Sequence, residues 1–154
     1  IPSSRTASAS PMMAKWEARK NGYDEIILTD NDGYITEAPT SNVFAINSSG
    51  VLLTAHEDEV LHGITRMSLL EIAEDEGIEM QVGKIPVNDF IKAREVFISS
   101  SSHLVSPVIK IDDLLVGDGR IGEVTGILKD RFQRLISGRD MKFGKWLWKV
   151  NKSI

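Results

Sequence analysis

The sequence contains no cysteine. Disulfide frameworks, zinc–thiolate centres and cysteine nucleophiles are therefore excluded, and a reducing compartment is consistent with that absence. Charge of one sign is also scarce. The 18 Lys and Arg against 22 Asp and Glu leave a formal net charge of −4, so this is no polycation built to track a nucleic-acid backbone. No long apolar run is present. The longest uncharged stretch, 38–56, is broken by Pro39, Asn42, Asn47, Ser48, Ser49 and Gly50, and no membrane-spanning helix is expected. Residues 1–10 are serine-rich, lack the apolar segment of a signal peptide and read as a loop. What is present is ordinary for a globular chain of 154 residues: 42% hydrophobic and 26% charged.

Periodicity then assigns elements. Pro11 suits the first turn of a helix, Met12, Met13 and Trp16 form its apolar stripe, and Gly22 stops it. Residues 25–29 (EIILT) read as a buried strand, Asn31-Asp32-Gly33 as a tight turn, and 34–37 as the returning strand. A second hairpin joins 43–46 to 51–54 through 47–50. The period changes over 64–76, where Met67, Leu69, Leu70, Ile72 and Ala73 fit a helix ended by Gly77. Residues 78–85 are strand-like, 87–93 fit a short helix, and 95–99 and 105–111 are strands around a serine run. Val124, Ile127, Leu128, Phe132 and Leu135 mark a last helix that stops at Gly138. Trp146, Leu147 and Trp148 stand among lysines in the tail. This order predicts an α+β domain with a mostly antiparallel or mixed sheet.

Several motifs carry chemistry in principle. Gly117 to Gly122 match G-x-G-x-x-G before a helix, but the strand and acidic residue of a dinucleotide unit do not follow, so a glycine-rich loop is expected. Asp30, Asp32 and Gly33 lack the remaining ligands of a calcium loop, and His56, His62 and His103 lack metal-ligand spacing, so no metal is assigned. Two segments suit an anion. Ser99 to Ser102 offer four consecutive hydroxyls, and Gly63-Ile64-Thr65-Arg66 opens a helix directly after a loop, where free N–H groups and the positive dipole end collect. Glu37 adds a carboxylate at the end of a strand.

Together these pieces resemble the fold-type-IV pyridoxal-phosphate enzymes, the group of branched-chain aminotransferases, D-amino-acid aminotransferases and aminodeoxychorismate lyases. The likeness runs through Ala14-Lys15-Trp16-Glu17-Ala18 with Gly22-Tyr23-Asp24-Glu25, and Gly33-Tyr34-Ile35-Thr36-Glu37. It continues through Ser41-Asn42-Val43-Phe44, Leu61-His62-Gly63-Ile64-Thr65-Arg66, Glu95-Val96-Phe97-Ile98-Ser99 and Val105-Ser106-Pro107-Val108. The aromatic, lysine-bearing tail is most similar to that of branched-chain aminotransferases. The resemblance implies the C-terminal domain of that fold, a mixed or antiparallel pseudo-barrel sheet with flanking helices. It divides the chain into a loop at 1–10, a cofactor-binding large domain at 11–138 and a tail at 139–154. It implies pyridoxal 5′-phosphate as cofactor, an amino acid and a 2-oxo acid as substrates, a homodimer, a cytoplasmic setting, and neither nucleic acid nor membrane as partner. Glu37 matches the glutamate that pairs with the pyridine nitrogen and is the catalytic candidate. Leu61 matches the residue packed on the ring, Ile64 and Thr65 those that hold the phosphate, and Ser101, with Ser100 beside it, the phosphate-binding threonine.

Two departures accompany the match. The Schiff-base lysine falls at Ser3 or Ser4, or at Arg5 with one deletion, and no lysine precedes Lys15. Arginine stays protonated and cannot take that role. The tyrosine that contacts the cofactor is replaced near Ser8. Ser102, His103 and Leu104 stand where aminotransferases have small residues and a glutamate at the substrate carboxylate. The expected activity is therefore a branched-chain-type amino transfer, weak or absent in this polypeptide alone. The alternatives are a non-catalytic homologue that binds a phosphorylated ligand or partner subunit, and an aminodeoxychorismate-lyase-like enzyme with the same site residues.

Overall fold

β3 (Ser41–Ile46) is buried along its whole length. Phe44 and Ile46 belong to one apolar cluster, Val43 and Ala45 to another, so the strand is covered on both faces and its sequence shows no polar alternation. β3 pairs antiparallel with β4 (Leu52–Thr54) and with β7 (Glu95–Ser100), and β7 pairs antiparallel with β8 (Leu104–Val108). β5 (Met80–Val82) adds to β4 in parallel, giving the order β5-β4-β3-β7-β8, with β2 (Glu37–Ala38) also on β3. The sheet is mixed and mostly antiparallel, as expected for the α+β class.

α2 (Ile64–Asp75) and α4 (Glu123–Ile136) cover one face. Leu69, Ile72, Leu128 and Phe132 pack there on Phe44 and Phe97, whose rings stack at 4.7 Å. The other face holds Ile35, Ala38, Ile85 and Phe90. It is built from β1 (Tyr34–Ile35), β6 (Ile85–Pro86), which pairs with β1, and α3 (Val87–Ile91). β9 (Lys110–Ile111) and β10 (Leu114–Leu115) form a small hairpin. α2 and α4 end before Gly77 and Gly138, both at positive φ, the left-handed conformation a helix stop favours in glycine.

This computed structural model describes residues 5–61 and 63–144, the side chains of 5–9 excepted. Ser3, Ser4, His62 and the Trp146-Leu147-Trp148 tail lie outside those residues, as do the side chains of Arg5 and Ser8. No helix among the described residues is long and apolar enough to cross a membrane.

Three local expectations change. The loop expected over 1–10 is helix from Arg5, because α1 (Arg5–Lys20) runs through Pro11 rather than starting at it. Ala7 and Ala9 favour a helix, and a proline at the seventh position removes only one i→i−4 bond. The segment 25–29 forms no ladder beyond one bridge between Thr29 and Ile35. Last, 78–85 and 105–111 each split into two strands, β5 with β6 and β8 with β9, since each half has a different partner.

Candidate functional site

The site begins with a bulge. Thr36 N–H donates to the carbonyl of Leu28 at 2.9 Å, while Leu28 N–H donates to the carbonyl of Glu37 at 2.8 Å. Two residues therefore face one, which interrupts the strand between β1 and β2 and shifts its side-chain alternation by one position. Ile35 and Ala38, three residues apart, both enter the same apolar cluster. Glu37 is thereby turned to the opposite face, level with Asn42 on β3. The irregular pairing is also why 25–29 is not a regular strand.

Glu37 and Asn42 together grip both backbone polar groups of one residue, Leu61, in the loop before α2. Leu61 N–H donates to Glu37 Oε2 at 3.0 Å, and Asn42 Nδ2 donates to the Leu61 carbonyl at 3.0 Å. The Leu61 side chain is left 75% exposed above this clamp. Gly63 follows under tight constraint, because a β-carbon there would lie 2.8 Å from Asn42 Oδ1. α2 then opens with Ile64, 82% exposed, and Thr65, which is buried.

Gly63 has no side chain to cap that helix start, and no other side chain among the described residues accepts from its first N–H groups. The Gly63 carbonyl accepts from Met67 N–H, and the N–H groups ahead of Met67 have no intrahelical acceptor. Arg66 lies in the same first turn, with its Nη2 on the Ala55 carbonyl at 2.8 Å and its Nε buried without a partner among the described residues. Burial pulls the Arg66 guanidinium below its ordinary pKa, and the charge of Glu57 opposes that shift. An uncapped helix start with a buried cation in its first turn favours an anion.

α4 makes the contrast. It too starts after a glycine, at the end of the G-x-G-x-x-G loop. Here the buried carboxylate of Glu95 fills the place an anion would take, accepting from Val124 N–H at 3.2 Å, Thr125 N–H at 2.8 Å and Thr125 Oγ1 at 2.8 Å. A β-carbon at Gly122 would fall 2.0 Å from Glu95 Cδ, and one at Gly117 2.4 Å from the Arg94 carbonyl. The glycines serve close packing against the start of β7, and the loop presents no vacant helix end to a nucleotide.

β7 delivers the serine run to the same region. Ser99 lies opposite Asn42 in register and is buried, and its Oγ has no partner among the described residues. Ser100 ends the strand, and its hydroxyl is engaged within its own turn, 3.2 Å from Ser102 Oγ and accepting from His103 N–H at 3.1 Å. Ser101 is exposed at the turn. Leu104 closes the turn at φ +53°, a conformation leucine seldom adopts.

Glu37 and Leu61 are thus in direct contact, and Ile64 and Thr65 follow Leu61 within one short segment. Ser100 and Ser101 extend from the strand that flanks Asn42. Sequence reasoning assigned no role to Asn42 or Arg66. The signal for Asn42 was its place two residues before Phe44, on the same face of β3. No lysine reaches the site as a free amine from α1. Lys15 Nζ donates to Glu25 Oε2 at 2.6 Å and to Thr40 Oγ1 at 3.3 Å, a part-buried link that fastens α1 to the loop.

Comparison with known proteins follows this geometry. Residues 5–111 match the amino-transferase class IV family. The chain belongs to that family. A probable branched-chain-amino-acid aminotransferase of Aquifex aeolicus is 31% identical over 145 residues, which cover 94% of this chain and 47% of the relative. A solved T.th. branched-chain amino acid aminotransferase with pyridoxamine 5′-phosphate superposes with a TM-score of 0.89 at 34% identity, covering 94% of this chain and 48% of that one. The Escherichia coli branched-chain amino acid aminotransferase superposes with a TM-score of 0.87 at 36% identity, covering 94% and 47%. The chain spans about half the length of these relatives. The fold-type-IV resemblance of the sequence is therefore borne out for family and fold.

Proposed function

We propose that this chain forms the cofactor-holding part of a pyridoxal-phosphate-dependent amino-transferase of branched-chain type, moving an amino group between an amino acid and a 2-oxo acid. The observation that carries this reading is the difference between its two glycine-led helices. Glu95 fills the start of α4, whereas the start of α2 is uncapped and lies three residues from the Leu61 peptide held by Glu37.

The residues present fit the group. The Ile64 and Thr65 N–H groups and the hydroxyls of Thr65 and Ser101 would hold the phosphate, with Ser100 beside them. Leu61 would offer its exposed side chain to one face of the ring. Glu37 would pair with the ring nitrogen and keep its proton there, because a carboxylate favours the charged form of a neighbouring base. When bound, pyridoxal phosphate supplies an electron sink for cleavage at the substrate Cα. The chain's own part is to bind and orient the group and, through the Glu37 carboxylate, to keep that proton on the ring nitrogen.

Lys15 sets a boundary on activity. An ammonium fixed on Glu25 is a poor nucleophile, and the resemblance aligns the Schiff-base lysine with Ser3, Ser4 or Arg5. The 154-residue chain then holds the cofactor reversibly and turns over weakly or not at all. That same observation favours the second reading, a non-catalytic homologue that only binds a phosphorylated ligand. For the homodimer and the cytoplasmic setting the support is the resemblance. For the dimer there is also the apolar surface of α1, where Met12, Met13 and Trp16 are exposed.

The test is an equilibrium titration with pyridoxal 5′-phosphate followed by dialysis. Saturable one-to-one binding that Glu37→Gln weakens supports the reading, and binding indifferent to Glu37 contradicts it. Amino transfer between a branched-chain amino acid and 2-oxoglutarate, assayed on the same samples, separates the enzyme from the binding homologue.

A further inference from the structure

Glu37, Asn42 and Ser99 stand in one row across β2, β3 and β7, on one face of the sheet. Glu37 is engaged with Leu61 N–H, and Asn42 Nδ2 with the Leu61 carbonyl. Ser99 is engaged with nothing among the described residues. It is 1% exposed, and its Oγ has no partner there. A buried hydroxyl without a partner is a cost that folded proteins rarely keep without reason. Its row neighbour has an acceptor to offer. No group among the described residues donates to Asn42 Oδ1, which lies against Gly63, where a β-carbon would come within 2.8 Å. Opposed positions on antiparallel strands place their β-carbons roughly 4.5–5.5 Å apart, and a serine hydroxyl is free to rotate toward such a neighbour. A donor without an acceptor therefore stands beside an acceptor without a donor. The acceptor is carried by one of the two side chains that hold the Leu61 backbone, on its carbonyl side.

We propose that Ser99 is a positioning residue of this site that acts through Asn42. Seating of a phosphorylated ring on Leu61 and the start of α2 settles the Leu61 carbonyl, the Asn42 amide bonded to it moves with it, and Ser99 Oγ–H donates to Asn42 Oδ1. In the free chain the hydroxyl has no partner among the described residues, and the loaded chain closes the row. This inference rests on the reading of the site as a cofactor site.

The probe is pyridoxamine 5′-phosphate, which carries no aldehyde to react with surface lysines. Its Kd is measured for the wild-type chain, Ser99→Ala, Asn42→Ala and the double variant, with the Tm of each free protein. Ser99→Ala is expected to weaken binding about threefold to tenfold, the effect of one hydrogen bond. It is also expected to leave the free-chain Tm unchanged or raised, because the deleted group was unbonded. In the Asn42→Ala background the same substitution is expected to change Kd no further. Wild-type binding with an unchanged Kd in Ser99→Ala overturns the inference and leaves the cofactor reading standing. A lower free-chain Tm overturns it as well, since the hydroxyl would then already be bonded, and so does an equal loss of affinity in the Asn42→Ala background. Failure of the wild-type chain to bind the probe overturns the cofactor reading, and the inference falls with it.

Discussion

Glu37 Oε2 accepts a hydrogen bond from the backbone N–H of Leu61, 24 residues further along the chain, at 3.0 Å. The carboxylate thus holds the loop before α2 while keeping its charge at the surface of the site. These two duties separate under substitution. Glu37→Gln keeps an acceptor for Leu61, so unfolding free energy should change by no more than about 0.5 kcal/mol. Loss of the charge should weaken pyridoxamine 5′-phosphate binding about tenfold or more, the scale of a hydrogen bond to a charged group. Glu37→Ala should lose that affinity and about 1 kcal/mol of stability besides. Urea denaturation beside a binding titration checks both.

Glu95 should matter for stability and not for the ligand. Its buried carboxylate caps α4 from β7 through three hydrogen bonds. Glu95→Ala leaves those donors without a partner and should cost about 2–3 kcal/mol, read as a lower urea midpoint with an unchanged slope.

Two glycines at the beginning of α4 should respond in opposite directions. Gly122→Ala drives a β-carbon to within 2.0 Å of Glu95 Cδ and should destabilise the fold by about 1–3 kcal/mol, the range of overpacking. Gly126 lies inside the helix with open space around it. Gly126→Ala should stabilise by about 0.5–1 kcal/mol, the difference in helix propensity. Thermal unfolding of the pair is the check.

Arg131 gathers the ends of two helices and the segment after α4. It bonds Asp75 at 2.9 Å and Asp140 at 2.9 Å, and pairs with Glu76, while Lys142 pairs with Asp75. Burial acts to raise the Asp140 pKa, but the hydrogen bond and charge of Arg131 outweigh it and hold the carboxyl below its ordinary value. A carboxyl lowered in the folded state contributes stability above its unfolded pKa, about 3.9, and loses it as pH falls through the lower folded value. Arg131→Met should therefore flatten the loss of stability with acid below about pH 4. It should also expose residues 139–143 to faster amide hydrogen exchange at neutral pH. Unfolding midpoints at several pH values, with exchange followed by mass spectrometry, test both.

Much of this fold was legible because its periods are clean. The stripe through Leu69, Ile72 and Ala73 and that through Val124, Leu128 and Phe132 became α2 and α4, and the 47–50 turn joined β3 to β4. That 25–29 would not form a regular strand was not legible. Apolar content marks burial, but the bulge at Thr36–Glu37 that disrupts its pairing depends on a neighbouring strand. The extension of α1 back to Arg5 was hidden by serines that suit helix and loop alike. At the site, Glu37, Leu61, Ile64 and Thr65 were named from their motifs. Asn42 was quoted in its motif and given no role, because its partner is a backbone carbonyl 19 residues away. The meaning of Ser99 within the serine run emerged only from its register against Asn42.

The most direct test of the central claim is a map of backbone amide shifts in the 15N-labelled chain during titration with pyridoxamine 5′-phosphate. The account predicts saturating shifts concentrated at Leu61, Ile64, Thr65 and Ser101, with no change at Val124 and Thr125, where Glu95 fills the helix start. Shifts centred on Val124 and Thr125, or no saturating shift at the start of α2, would contradict it.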